Sequence, residues 1–304
     1  MAALAGLLVS AGCGGSTDAG STVDTAERSG AQVEAASGSV RVVTVGDIAC
    51  PPGKRVTRTT CRQRATARLA NRLNPRLVLT LGDHQYESGR LRQFRRSYHK
   101  SWGTLLSRTR PTIGNHEYKT AGARGYYRYF GSRQPGPPGY YRMTTGGWDV
   151  YSLNSNCSKI DCAAQAAWLD RWLTSDPTKC TIVTMHHPRY SSGLEHGNNA
   201  SVQRLWETAA RHGNDIVLAG HDHDYERFVP LDANGAADPA GMQQFVVGTG
   251  GKNLYHLGTR KAGSAYFQAW THGVLSLDLQ PGSYRWAYYA LNGTVLDKGT
   301  RTCV

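Results

Sequence analysis

The chain has 304 residues, of which 39% are hydrophobic, and a formal net charge of +13. Its length supports one large domain with a proper core, and no stretch reaches the ~20 apolar residues that a membrane-spanning helix needs. A helical membrane protein and a chain too polar to fold are therefore excluded.

In chain order, Met1 to Gly12 is small and apolar and leads directly to Cys13. It reads as an export signal of the lipoprotein type, with Cys13 as the acylated residue and a membrane tether. Residues 14–38 turn to Gly, Ser, Ala, Thr and acids, a composition that cannot offset its own ordering entropy and predicts a flexible linker. The folded domain is expected over 39–304. Its first strand is the β-branched run SVRVVTVG from Ser39 to Gly46. A helix is predicted over 58–73, with Cys61, Ala65, Leu69 and Leu73 inward and a stripe of Arg64, Arg68 and Arg72 beside them. Arg76 to Leu81 is the next buried strand, so strand, helix and strand make a parallel crossover. Between Lys54 and Arg110 fifteen Lys/Arg face only Asp83 and Glu87. This basic field favours anionic substrates or surfaces without implying a nucleic-acid partner.

Beyond Glu117 a Tyr-, Gly- and Pro-rich stretch to about residue 140 predicts loop. Strands follow at 148–153, 180–185 and 215–219, with helices at 163–174 (Trp168, Leu169, Trp172 and Leu173 inward) and 200–212. The last third reads as short antiparallel strands at 244–247, 273–279, 284–289 and 294–296. Pro281-Gly282 and Asn292-Gly293 form the turns between the last three. Alternating units followed by antiparallel strands predict an α/β fold of α+β character: a four-layer sandwich of two mixed β-sheets flanked by helices. Six cysteines remain after Cys13, which in an exported chain suggests three disulfides. Proximity in sequence favours Cys50–Cys61, Cys157–Cys162 and Cys180–Cys303.

Every strong motif lies where a predicted strand ends, the place where open α/β sheets gather ligand groups. In order they are Gly46-Asp47, Gly82-Asp83-His-Gln-Tyr86, Gly114-Asn115-His116-Glu117, His186-His-Pro-Arg-Tyr190 and Gly220-His221-Asp-His223. Carboxylates, a phenol, an amide oxygen and imidazoles together suit iron, zinc or manganese rather than calcium or a thiolate-bound metal.

These blocks resemble the signature of calcineurin-like metallophosphoesterases, over roughly residues 40–300. The tail His221-Asp-His223-Asp-Tyr225-Glu226-Arg227 is most similar to the purple acid phosphatase branch. The resemblance implies that Asp47, Asp83, Tyr86 and His223 bind a first metal and that Asp83 bridges to a second one held by Asn115, His186 and His221. His186 is preferred over His187 because the family pattern is His-x-Pro-x-Tyr. Ala49 stands where most of the superfamily has a histidine, and Tyr86 supplies the replacement, as in purple acid phosphatases. A phenolate favours Fe(III), so the implied pair is Fe(III) with divalent Fe, Zn or Mn. Such a pair neutralises a phosphoester, lowers the pKa of a bound water and aligns it with the leaving group. His116 and His196 are the candidates for protonating the leaving group. His116 and Arg189 are candidates for touching the substrate.

The function expected is hydrolysis of small anionic phosphate monoesters by an exported, secreted or surface-anchored enzyme, with oligomeric state left open. The alternatives are a phosphodiesterase or nucleotidase, and a surface binding protein that holds metals without turnover.

Overall fold

The computed structural model describes residues 38–175 and 180–304. The export signal, Cys13 and the linker up to residue 37 lie outside the described residues. In chain order the elements begin with β1 (Val40–Val45), α1 (Gln63–Arg72), β2 (Leu77–Leu81), α2 (Leu91–Arg96), β3 (Thr109–Thr112) and α3 (Arg124–Phe130). The middle of the chain forms β4 (Tyr141–Thr145), β5 (Trp148–Ser152), α4 (Cys162–Ser175), β6 (Thr181–Thr184), α5 (Gln203–Arg211) and β7 (Ile216–Ala219). The remainder is all strand: β8 (Tyr225–Phe228), β9 (Gln243–Val247), β10 (Ser264–Gln268), β11 (Gly273–Gln280), β12 (Ser283–Ala290) and β13 (Val295–Thr302).

Two mixed sheets result, a six-stranded one in the order β13-β12-β11-β1-β2-β3 and a seven-stranded one in the order β10-β8-β9-β7-β6-β5-β4. Strands β1, β2 and β3 run parallel in the first, and β5, β6, β7 and β9 in the second. The period-2 alternation of a strand partitions the second sheet between two cores. Val150, Ile182, Ile216 and Leu218 face the main core with the first sheet. Tyr151, Val183 and Val217 face the opposite way, onto Leu169 and Leu173 of α4 and Leu205 and Trp206 of α5. Where the sheets meet beneath the strand ends, the Thr112 hydroxyl lies 2.8 Å from that of Ser152 and 2.6 Å from that of Thr184. These bonds satisfy three hydroxyls that burial would otherwise penalise.

Several local expectations are corrected. Helix α1 starts at Gln63 rather than near residue 58, because Cys61 is bonded to Cys50 and takes a left-handed backbone (φ 60°). Of the row expected inward, Cys61, Leu69 and Leu73 are buried and Ala65 is half-buried, and Thr66, Ala67 and Ala70 widen the buried face of the helix. Trp172 lies outside, 40% exposed, with the Arg142 guanidinium 4.6 Å over its ring. The buried face of α4 is instead Gln165, Ala166, Leu169 and Leu173. The stretch expected to be loop contains α3, whose aromatics build a cluster that outweighs the neighbouring glycines. Tyr129 stacks on Phe94 at 4.7 Å and Phe130 meets His84 at 4.8 Å.

All three disulfides join the expected cysteines. Cys180–Cys303 ties the start of β6 to the C-terminal end of β13, and Asp215 reinforces the same junction. Its carboxylate accepts from Thr181 N at 2.7 Å and from Val304 N at 2.8 Å.

A second tie links the two sheets through Asp297 of β13. Its carboxylate accepts from the Tyr225 hydroxyl (2.7 Å), from Arg227 Nε (2.8 Å) and Nη2 (3.0 Å), and from Trp286 Nε1 (3.2 Å). Arg227 also lies over the Trp286 ring at 5.1 Å. Tyr225 and Arg227 are the last part of the fifth sequence block, so that tail is a brace rather than part of the donor cluster. Removing one partner of a buried ion pair leaves the other charge uncompensated and costs about 3–5 kcal/mol. Asp297→Ala should therefore lower unfolding free energy by roughly 3 kcal/mol in a urea titration, and Asp297→Asn by less.

Candidate metal centre

Asp47 follows β1, Asp83 follows β2, Asn115 follows β3, His186 follows β6, and His221 and His223 follow β7. The parallel strands of both sheets thus deliver their carboxyl ends to one place. Around Asp47 the Tyr86 hydroxyl donates to Oδ1 at 2.8 Å, and His223 Nε2 lies 3.0 Å from Tyr86 Oη and 3.5 Å from Asp47 Oδ1. Around His186, Nε2 is 2.9 Å from Asn115 Oδ1, 3.2 Å from His221 Nδ1 and 3.5 Å from Asp83 Oδ1. Donor atoms of Asp47, Asp83 and His186 all fall within 4.8 Å of one another, which joins the two groups. The seven residues singled out from the sequence are therefore brought together.

The outward ring nitrogens decide what this cluster can hold. His186 Nδ1 lies 2.8 Å from Leu81 O, and His223 Nδ1 lies 2.6 Å from Asn253 O. A carbonyl accepts only, so each Nδ1 carries its proton and each Nε2 is the nitrogen that faces the cluster. Two carboxylates, an amide oxygen and imidazole nitrogens then converge, a set that positive charge reconciles, either a second proton on His186 or a metal cation. Burial acts to lower the His186 pKa, but Asp83 and Asp47 outweigh it and raise it to about 10. Asp83 shows the reverse: burial pushes its carboxyl up, yet His186 and His116 hold it well below the usual range. Burial and the carboxylates of Asp47 and Asp83 push the Tyr86 phenol well above its ordinary value, so a phenolate there needs a nearby cation. Burial and neighbouring histidines lower His221, and burial and His186 take His187 to about 3, which keeps both neutral. The donor set fits a pair of cations: Asp47, Tyr86 and His223 would hold one, and Asn115, His186 and His221 the other, with Asp83 between them.

The surrounding backbone is shaped for this arrangement. Asp47, Asp83 and His221 all have positive φ (59°, 45° and 72°), a conformation that costs energy in a non-glycine residue and clusters at functional sites. Glu117 holds the Asp83 turn: its buried carboxylate accepts from Asp83 N (3.0 Å), His84 N (3.0 Å) and Gly114 N (2.9 Å). A Cβ at Gly114 would lie 2.3 Å from Asp83 N and Oδ1, so the turn closes only on glycine.

The remaining candidates fare differently. His116 belongs to the cluster: its N–H donates to Asp83 Oδ1 at 2.8 Å, and Nε2 is 3.8 Å from Oδ2. His116 Nδ1 lies 2.6 Å from Glu87 O, so Nε2 is its free acceptor, and Lys119 Nζ approaches that atom at 3.1 Å. His196 stacks on His221 at 3.9 Å from an exposed position. Arg189 bonds Gln203 and lies 4.5 Å over Tyr190, engaging these rather than the donors.

Three contributors escaped the sequence reading. Lys252 sits 4.4 Å over the Tyr86 ring and pairs with Glu87. Tyr255 stacks on His223 at 3.9 Å, and the Asn253 carbonyl orients that imidazole. All three follow Gly248-Thr-Gly-Gly251, a stretch whose glycines were visible but whose following side chains carry no spacing signal.

Residues 40–225, more than half of the chain, match the model of the calcineurin-like phosphoesterase family. The chain belongs to that family. The relatives to which it is similar include purple acid phosphatases. Purple acid phosphatase 21 of Arabidopsis thaliana is 31% identical over 172 residues, which cover 50% of this chain and 39% of that one. The chain thus matches well under two thirds of that relative's length. Two solved structures share the fold. Purple acid phosphatase PPD1 from yellow lupin has a TM-score of 0.67 at 17% identity, covering 87% of this chain and 54% of that one. GAP50, described as the anchor in the inner membrane complex of Plasmodium, has a TM-score of 0.65 at 15% identity, covering 88% and 89%.

Glu117→Gln keeps the shape but removes the charge that accepts these backbone N–H groups, to which Gln85 N adds a fourth at 3.4 Å. It should weaken metal affinity by about 10–100-fold, read by competition with a calibrated chelator, while circular dichroism stays unchanged.

Proposed function

We propose that the chain is a dinuclear-metal phosphatase that hydrolyses small phosphate monoesters outside the cytoplasm. The observation that carries this reading is the convergence of seven donors from five strand ends on one buried locus. Membership of the calcineurin-like phosphoesterase family supports the reaction class, and the purple acid phosphatase relatives support the monoester.

Two bound cations supply the neutralisation of an anionic ester and a water acidic enough to act near neutral pH. Tyr86, in place of a histidine, supports Fe(III) in the Asp47 group, paired with divalent Fe, Zn or Mn. The chain's own residues then orient the ester. His116 presents its free Nε2 beside Asp83, with the Lys119 ammonium against it. The Lys119 ammonium, held against His116 Nε2, faces an ester oxygen with a hydrogen bond and positive charge, which gain strength as charge develops during cleavage. His196, exposed and stacked on His221, is accessible to a leaving alkoxide and is proposed as its proton donor. Lys252 over Tyr86 supplies a further positive charge at the same rim.

The three disulfides support an oxidising compartment. Among the described residues no helix is long and apolar enough to cross a membrane, which agrees with a secreted form or with anchoring through an acylated Cys13.

The decisive experiment is hydrolysis of an aryl phosphate monoester by the full chain, with and without a strong chelator. Turnover should require metal, and Asp83→Ala should lower kcat by at least about 1000-fold at unchanged circular dichroism. Turnover that survives exhaustive chelation, or that is faster on a bis-aryl diester than on the monoester, would refute the proposal.

A further inference from the structure

A cleft of about 420 Å³ lies beside the donor cluster, and Arg90, Lys119, Arg124 and Arg128 line it together with Thr120 and Gly125. No carboxylate is among its lining residues. Among the described residues none of these four cations forms an ion pair, whereas other basic side chains do. Arg124 and Arg128 sit four apart on α3, the spacing at which like charges repel along a helix face. This concentration of positive charge raises the energy of the empty cleft, and an anion would relieve it.

The cleft is built into the fold. Thr120 donates its hydroxyl to the Ser88 carbonyl, which ties the segment after Glu117 to the turn before α2. At Gly125 the start of α3 presses so closely on that turn that a Cβ would lie 2.0 Å from Gly89 O. Both walls are therefore held at a set separation. The route to the metal centre is short. Lys119 lines the cleft and touches His116 Nε2 at 3.1 Å, and that atom is 3.8 Å from Asp83 Oδ2.

We propose that this cleft receives a second phosphate group of the substrate, so that the preferred esters are small molecules carrying two or more phosphates. The assignment rests on the phosphatase reading above. It follows from charge, from proximity and from the geometry of guanidinium. Each Arg offers a planar fork that binds phosphate oxygens in pairs, which a neutral leaving group would leave unused. With one phosphate at the donor cluster, Lys119 stands between the two anionic groups and contacts either.

The test compares the metal-loaded full chain with its Arg124→Gln/Arg128→Gln double variant. Turnover of fructose 1,6-bisphosphate and of fructose 6-phosphate is measured alongside calorimetric binding of methylenediphosphonate and methylphosphonate. Wild type should favour the bisphosphate in kcat/KM. The variant should lose roughly tenfold on the bisphosphate and the diphosphonate, and stay within about twofold on the partners that carry a single phosphate or phosphonate group. Equal treatment of both esters by the wild type overturns the proposal, as does an equal loss on both in the variant. If no ester is turned over, the hydrolysis reading fails alone, and the diphosphonate affinities still decide the cleft: an arginine-dependent difference upholds it and equal affinities overturn it.

Discussion

The fold is organised around a local electrostatic conflict. Polar atoms from Asp47, Asp83, Asn115, His186, His221 and His223 converge in a buried space, where unbalanced charge is least tolerable. Three of them are locked there from behind: His186 by the Leu81 carbonyl, His223 by the Asn253 carbonyl, and the Asp83 turn by Glu117. Folding energy from two large cores is thus set against a site that is strained and charged until cations enter it. Three of the donors sit on left-handed backbones, and no room is left beside Gly114.

How much of this was legible in the sequence follows from what each feature needs. Buried parallel strands are continuous β-branched runs, so β1, β2, β6 and β7 could be placed from their residues alone, and their ends pointed to the donors. Disulfide pairing was legible because two of the three closures are short in sequence. Features that depend on partners far along the chain were not. Helix α3 is specified by Phe94, Tyr98 and His84 meeting Tyr126, Tyr129 and Phe130, a cluster that no local period reveals. Trp172 reads as core by type, yet its ring is satisfied by Arg142 at the surface. Strands β4, β8 and β10 are short, and β4 and β10 are partly exposed, so their alternation is weak.

The site divides in the same manner. Donors sit at strand ends in recognisable company, whereas residues that tune them arrive from elsewhere. Lys252 and Tyr255 come from the segment after β9 and meet Tyr86 and His223 only in three dimensions. Tyr225 and Arg227 show the converse. They belong to the most recognisable block, yet they work on Asp297 in the other sheet, so a residue's place in a motif and its place in the chemistry are separate matters.

Strand β1 occupies the interior of the first sheet, with β2 on one side and β11 on the other. Val40 pairs with Leu279 and Thr44 with Leu275, partners that lie most of the chain away. Until β11 arrives, the inner edge of β1 is an open row of amides and carbonyls that invites pairing with a foreign strand. Non-local closures of this kind slow folding. The stretch that matches the family model, residues 40–225, ends before β11. It carries the donors but not the strand that pairs with β1, so the less recognisable C-terminal third is what completes the first sheet.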